Sequence, residues 1–417
     1  MRRPLSGLTT RGRCLLAAGV AAALCALVLD ERDLLRVALF AAALPLLATA
    51  LVSGSRVGLT AVRNLVPDRI PVGTRGDVEL VLRSDGRIPA GGLLLEDDLP
   101  YALGSRPRFV VARLPRHQAV RLTYPLHPVM RGVHRIGPLT TRITDPFGLA
   151  EAEGKLTEPS RLVVVPQVVR LYGLPSTSGL GAGDDGSVRL RTGQGEDDAV
   201  VRPYRHGDDI RKVHWRSTAR RDELMVRVEE RPWRGGTTVL LDHRSAAHRG
   251  DGPTSSLEWA VSLAASVCLH LHRHGHSVRL VTEDGRLLAR GGPESGTSAA
   301  VLDALAGLQA SHRRDLVHAT DPAAGNDVIA ILGAASPTAV GELVRHRSRA
   351  GRSLAVLLDV AAWATAEEES VPDPHEAARL LRGAGWRVAV AGPNRSMAEV
   401  WAELCGTSIA TSTGGAW

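Results

Sequence analysis

The sequence predicts an α/β protein in three parts: an N-terminal transmembrane helical hairpin, a β-sandwich-like domain, and a doubly wound parallel-sheet domain. Three observations carry this. Two long apolar runs open the chain, short alternating runs punctuated by turns fill residues 58–166, and apolar strands alternate with helices over 235–417. A Gly/Ser-rich linker (167–198) and an Arg-rich stretch (199–234) lie between the last two parts. A chain of 417 residues, 44% hydrophobic, suits several compact units rather than one.

The hairpin occupies 1–57. Cys14–Leu29 has no charge and Leu34–Val52 has only Arg36. At ~1.5 Å per residue the two apolar cores reach about 24–28 Å, just under a ~30 Å hydrocarbon layer, a gap that snorkelling arginines can close. The polar turn "DERD" joins them. A cleaved leader would still leave the second run as an anchor, and Leu24 before Cys25 argues against a lipid-modified cysteine; a buried soluble hairpin is the other reading. Arg2, Arg3, Arg11 and Arg13 precede the first run, Arg56 and Arg63 follow the second, and the turn is net acidic. The positive-inside tendency therefore predicts a two-helix protein of the cell membrane with both termini cytoplasmic.

This also disposes of the formal charge of +7. Seven arginines against three acids put +4 into the first 57 residues, which leaves +3 for the rest. Cys14, Cys25, Cys268 and Cys405 form no C-x-x-C pair, so neither a disulfide framework nor a zinc site is implied, and a reduced compartment is the simplest setting.

In the second part "DVELVLRS" and "AVRLTYPL" alternate, and "GGLLLEDD", "RFVVARL" and "RLVVVPQ" are apolar runs of strand length. Their spacing predicts a two-sheet antiparallel sandwich. Asp145-Pro146-Phe147-Gly148 is turn chemistry, read as a sandwich corner with Phe147 as an inward plug. "GLGAG" in the linker lacks the Lys-Ser/Thr and the helix of a phosphate loop.

Between Val188 and Arg234 twelve basic residues face nine acidic ones. Nucleic-acid binding needs an uncompensated basic stripe, so paired charges in an arginine network fit better and no nucleic-acid partner is expected. "VVRPYR" reads as extended, Asp208 or Asp209 as the cap of a short helix through "IRKVHWRSTAR", and "DELMVRVEE" as a strand. His206, His214, Asp208, Asp209 and Ser217 supply acid–base and nucleophile types without a recognisable catalytic pattern.

Beyond Gly236, "TTVLLD", "HSVRLVTEDG", "DVIAILGAA", "SLAVLLDV" and "WRVAVAG" read as strands between five helices, which predicts a parallel sheet covered on both faces. Ligands of such sheets sit beyond the strands' carboxyl ends, where Asp242 lies. His270, His272, His274 and His276 do not share one helix face, and basic groups near a helix C-terminus complement its dipole, so they are not read as metal ligands.

The stretch Val201–Arg227, "VRPYRHGDDIRKVHWRSTARRDELMVR", resembles the hallmark of the bacterial domain of unknown function 58 family. Its members carry a membrane hairpin, a β-rich region with an "RG…GP…DPFGL" element, this hallmark, and a von Willebrand factor A-like domain; the same order runs through nearly the whole chain here. The resemblance marks Arg202, Pro203, Tyr204, Arg205, Gly207, Asp208, Asp209, Arg211, His214, Trp215 and Arg220 as hallmark positions. A-type domains often hold Mg²⁺ through Asp-x-Ser-x-Ser. Here Asp242 keeps the first position, but Arg244 and Ala246 replace the serines, so no cofactor, Mg²⁺ included, is expected. Members are linked with MoxR-type AAA+ ATPases and transglutaminase-like membrane proteins. The resemblance thus implies a cytoplasm-facing adaptor or scaffold of unknown biochemical activity in envelope-related assembly, more a binding protein than an enzyme. The alternative is an enzyme acting on an anionic cell-envelope precursor through Arg202, Arg205, His206, Asp208, Asp209 and His214.

Overall fold

The computed structural model describes residues 7–54, 59–84, 93–111, 118–175, 200–203, 218, 220, 225–228, 236–291, 296–313, 315–316, 322–323, 327–347, 351–364 and 371–406. The chain divides into two compact units, one built mainly on the residues up to Val168 and the other mainly on those from Val169.

The first unit opens with helices α1 (Thr10–Leu29) and α2 (Arg32–Gly54). Thr9 caps α1 by accepting the Gly12 N–H at 3.2 Å, and Asp30, in the left-handed region with φ 51°, ends it. At 20 and 23 residues the helices reach about 30 and 34 Å, so polar first turns close the gap that the apolar runs alone left. The two helices pack through small residues. Gly19, Ala26 and Ala38 are buried, and a Cβ on Gly19 would lie 2.7 Å from the Ala42 nitrogen. Leu24, Leu27, Val28, Leu39 and Phe40 point outward and are exposed. By length and composition both helices can cross a membrane.

The rest of this unit is β1 (Leu59–Val66), β2 (Arg69–Pro71), β3 (Gly76–Ser84), β4 (Leu93–Asp97), β5 (Arg108–Val111), β6 (Ala119–Leu126), β7 (Gly132–Ile136), β8 (Leu139–Thr144), β9 (Glu151–Thr157) and β10 (Ser160–Val165). They form three small sheets, β1-β3-β6, β5-β4-β8-β9 and β2-β10-β7, rather than the two predicted. The difference arises after β1. Pro67 offers no N–H to continue the ladder, and the chain crosses to pair β2 in parallel with β10, so the sheets are not wholly antiparallel either. Inward residues of all three share one core, among them Ile70, Val78, Leu80, Leu95, Leu126, Leu139 and Leu162.

A buried ion pair crosses that core. The Arg63 side chain on β1 is 1% exposed and its fork holds Asp97 at the end of β4, with Nη2 2.5 Å from Oδ1 and Nε 3.1 Å from Oδ2. Nη1 donates to the Ile136 and Glu158 carbonyls and to Ser160 Oγ. The Tyr124 hydroxyl on β6 donates to Asp97 Oδ2 at 2.7 Å; burial and that carboxylate push the phenol well above its ordinary range. One guanidinium therefore links all three sheets. Arg63 is accordingly no flanking charge for the hairpin, and that part of the orientation argument falls.

The Asp145–Gly148 turn also departs from expectation. Asp145 accepts the N–H groups of Phe147, Leu149 and Ala150 at 2.9, 2.6 and 2.6 Å, as turn chemistry requires. Phe147, however, is 67% exposed, whereas Leu149 and Ala150 are buried against Ala48 and Val52 of α2. The turn is fastened to the start of α1, which decides which residue faces inward: Thr9 Oγ1 donates to the Gly148 carbonyl at 2.7 Å and Thr9 N to the Leu149 carbonyl at 3.0 Å. A Cβ on Gly12 would collide with that same Leu149 carbonyl.

The second unit contains β11 (Val200–Pro203) and β12 (Met225–Val228), an antiparallel pair. β13 (Thr237–Leu241), α3 (Ser256–Arg273), β14 (Val278–Thr282), β15 (Leu287–Gly291), α4 (Thr297–Ala306), β16 (Asp327–Leu332), α5 (Pro337–His346), β17 (Ser353–Leu358), α6 (Pro374–Gly383), β18 (Arg387–Ala391) and α7 (Met397–Cys405) follow in the chain, the residues of α4 from Leu302 onward counting with the first unit. The sheet order is β15-β14-β13-β16-β17-β18. It is mixed, not wholly parallel as predicted, because a turn at Asp284-Gly285 folds β15 back antiparallel on β14. α5 and α6 cover one face through Leu343 and Leu381, while Val239, Ile329, Ile331 and Val356 are buried on the other. Residues from Val169 to Pro175, read from sequence as linker, pack on this unit: Val169 N donates to Ser266 Oγ at 2.9 Å, and the Gly173 carbonyl accepts from His270 Nε2 and Trp401 Nε1 at 2.7 and 3.1 Å.

Replacing Arg63 with alanine leaves Asp97 buried without a counter-charge, and denaturant unfolding of the full chain in detergent should show a loss of about 3–5 kcal/mol.

Candidate functional site

Five of the six strands of the sheet run parallel, so their carboxyl ends gather at one edge, the side where doubly wound folds bind their ligands. β13 ends there, and Asp242, the residue after it, bonds the Ile331 carbonyl on the neighbouring β16 through its N–H at 2.9 Å. The Asp242 side chain is fully buried, which for a carboxylate demands a partner.

Arg244 is that partner. Its Nε lies 2.9 Å from Asp242 Oδ1 and its Nη2 2.7 Å from Oδ2, a two-pronged grip, and the Arg244 backbone N–H reaches Oδ1 at 3.1 Å. Nη2 also reaches the Ala334 carbonyl beyond β16 at 3.2 Å. Burial alone would lower the Arg244 pKa, but the hydrogen bond and charge of Asp242, with Glu283 and Asp315, turn the shift upward. The Arg244 guanidinium therefore stays charged. A divalent cation, which the Asp-x-Ser-x-Ser comparison would put beside Asp242, does not fit these donors. Both carboxylate oxygens already hold a guanidinium, and a second cation would meet its charge.

Two further polar groups complete the cluster. Glu283, just past β14, accepts the His243 N–H at 3.1 Å and lies 2.5 Å from His243 Nδ1. Its other oxygen, Oε1, is buried without a hydrogen-bond partner among the described residues. His248 Nε2 donates to the Asp242 carbonyl at 2.9 Å, which fixes the tautomer and leaves Nδ1 to accept from Ser256 Oγ at 3.0 Å. Neutral His248 is thus satisfied at both nitrogens. Alongside, beyond β17 and β18, opens a cleft of about 580 Å³ lined by Asp359, His375, Arg382, Asn394, Arg395 and Glu403.

The hallmark positions are placed only in part. Arg202 and Pro203 lie in β11, their backbones opposite Val226 and Met225, and Arg220 is helical and exposed. Tyr204, Arg205, His206, Gly207, Asp208, Asp209, Arg211, His214, Trp215 and Ser217 lie outside the described residues. Among the described residues no group of three or more His, Cys, Asp or Glu side chains is arranged to hold a metal. His270 instead donates to the Gly173 carbonyl, and His274 Nδ1 contacts the His270 carbonyl at 2.9 Å. Sequence reasoning singled out Asp242 but missed His243, His248 and Glu283. The usable signal for Glu283 was its place directly after an apolar strand beside the one that ends at Asp242.

Burial holds the His248 pKa below its ordinary value, against a partial pull upward from Asp242. The unfolded chain takes up this proton near pH ~6.5 and the folded chain does not, so stability is full above that pH and declines as pH falls below it. The unfolding midpoint should drop between about pH 7.5 and 5, and His248→Gln should flatten part of that drop. A flat profile for the unaltered chain, or an unchanged slope in the variant, contradicts the assignment.

Residues 200–354 match the family described as "Protein of unknown function DUF58". A relative, "Uncharacterized protein YeaD" of Bacillus subtilis (strain 168), is 26% identical over 225 residues, 53% of this chain and 54% of that protein, so the chain spans about half the length of the curated relative it matches. Among solved structures, the CARDB domain of the PF1109 protein from Pyrococcus furiosus, solved with di-metal ions, is 16% identical over 25% of this chain and 91% of its own, with a TM-score of 0.18. Cwp6 from Clostridium difficile is 8% identical over 82% of this chain and 39% of its own, with a TM-score of 0.16. Scores this low carry no argument about fold or ligands. The family match runs from β11 to the start of β17 and takes in Asp242, Arg244, His248 and Glu283; over residues 200–354 this chain is similar to the family of unknown function DUF58.

Proposed function

We propose that the chain is a two-pass membrane protein that serves as an adaptor without chemistry of its own. Both ends of its hairpin lie on the cytoplasmic side. Arg11 and Arg13 are exposed in the first turn of α1, while Asp30, Glu31 and Asp33 stand at the opposite end of the pair, a distribution that supports this orientation. The second unit is read as a von Willebrand factor A-like docking module. A doubly wound sheet with one antiparallel edge strand suits that reading, and the cleft beyond β17 and β18 gives the carboxyl edge a recessed surface.

The observation that carries the proposal is the grip of Arg244 on Asp242. An A-type module that docks through a bound cation has an exchangeable charge at this point; here the charge is covalently part of the chain. Docking at this edge accordingly needs no divalent ion. The partner class is a MoxR-type AAA+ ATPase, with a transglutaminase-like membrane protein as a second associate.

The immobilised full chain in detergent should retain a purified MoxR-type ATPase, and prior washing of the chain with EDTA should leave that retention unchanged. Failure to retain the ATPase, or retention only after Mg²⁺ is returned to the chain, overturns the proposal.

A further inference from the structure

The Asp145–Ala150 turn is fastened to the membrane hairpin at a particular height. Its carbonyls at Gly148 and Leu149 accept from Thr9, and Glu151 N donates to the Gly7 carbonyl at 2.7 Å. Leu149 and Ala150 pack with Leu15 near the start of α1 and with Leu44, Ala48 and Val52, which lie in the second half of α2. The charge-free run of α1 begins at Cys14, about one and a half helical turns beyond Thr9. The turn therefore sits where the two helices leave the hydrocarbon, at headgroup depth. At its tip Phe147 is 67% exposed, an arrangement with no counterpart in the core of its own unit. Exposed Arg11 stands beside it: a Cβ on Gly148 would lie 3.8 Å from Arg11 Nη1.

We propose that this turn is a membrane-interface foot: Phe147 enters the boundary between headgroups and acyl chains of the leaflet that α1 and α2 leave, and Arg11 meets a lipid phosphate beside it. The chemistry is that of an aromatic anchor with a neighbouring cation at an interface. Asp145 makes the anchor rigid, because its three backbone hydrogen bonds fix the loop that carries the ring. The proposal rests on the membrane reading of the hairpin.

All seven tryptophans lie at or beyond Trp215, so the first unit has none and added tryptophans there can be read against that background. The full chain is reconstituted into phosphatidylcholine–phosphatidylglycerol vesicles whose acyl chains are brominated either near the carbonyl or near the chain end. Phe147→Trp replaces one exposed aromatic ring with another; Leu24→Trp, on the outward face of α1, reports the span itself. The foot predicts that the emission added at 147 falls by about half or more with the shallow bromines and much less with the deep ones, while that at 24 is quenched by the deep ones. Quenching at 24 with none at 147 overturns the foot and leaves the hairpin in the membrane, pointing to a protein partner or water at Phe147. Absence of quenching at both positions overturns the foot and the membrane reading together.

Discussion

The edge of the second unit depends on one interaction, the buried pair of Asp242 and Arg244. A carboxylate at the end of a central strand, fully excluded from water, cannot stay charged without a neighbouring cation. Glu283 lies just past the end of the next strand and adds a second buried carboxyl. The guanidinium answers the first directly and lies close enough to the second to feel its charge. It also reaches the Ala334 carbonyl, so the ends of β13 and β16 are joined by side chain as well as by backbone. His248 then fastens the following loop to the Asp242 carbonyl. Such a pair gains little over a well-packed apolar replacement, but removing one partner strands the other, which makes each residue hard to lose alone.

The first unit uses the same device for a different end. Arg63 and Asp97 are 34 residues apart, and the guanidinium of the former touches strands of all three sheets. With Tyr124 on the same carboxylate, the pair sets how the sheets meet. The turn at Asp145 applies related logic beside the helical hairpin: one carboxylate organises three amides, and the loop so formed is hydrogen-bonded to Thr9. Between Arg63 and Asp145, charge placed inside the β unit and at its rim fixes the unit to itself and to the hairpin.

Much of this architecture was legible in the sequence, and the exceptions have physical reasons. The hairpin showed itself as two neighbouring apolar runs, one free of charge and one with only Arg36, each forming a helix long enough to cross a membrane. β13, β16 and β17 showed themselves because strands covered on both faces are apolar throughout. β15 was missed although Asp284-Gly285 is a hairpin signal, since "LLARG" is short and ends in glycine. Arg63 was counted as a flanking charge, yet a period of two on β1 puts it on the same side as Leu59, Ala61 and Leu65, the inward one. The orientation of Phe147 was not legible at all. Turn chemistry specifies Asp145 and Gly148, whereas the choice between Phe147 and Leu149 for the interior depends on Thr9, more than 130 residues away. At Asp242 the sequence placed an arginine at the position of a metal-binding serine; the fork on both carboxylate oxygens is what the structure adds.

The account stands most directly on a double-mutant cycle between Asp242 and Arg244 in the full chain, read by denaturant unfolding in detergent. Asp242→Ala and Arg244→Ala should each cost about 3–5 kcal/mol, and the double variant should cost less than the two combined, with a coupling on the order of 2–3 kcal/mol. Single variants within about 0.5 kcal/mol of the unaltered chain, or losses that simply add, would contradict the claim that one guanidinium holds this edge together.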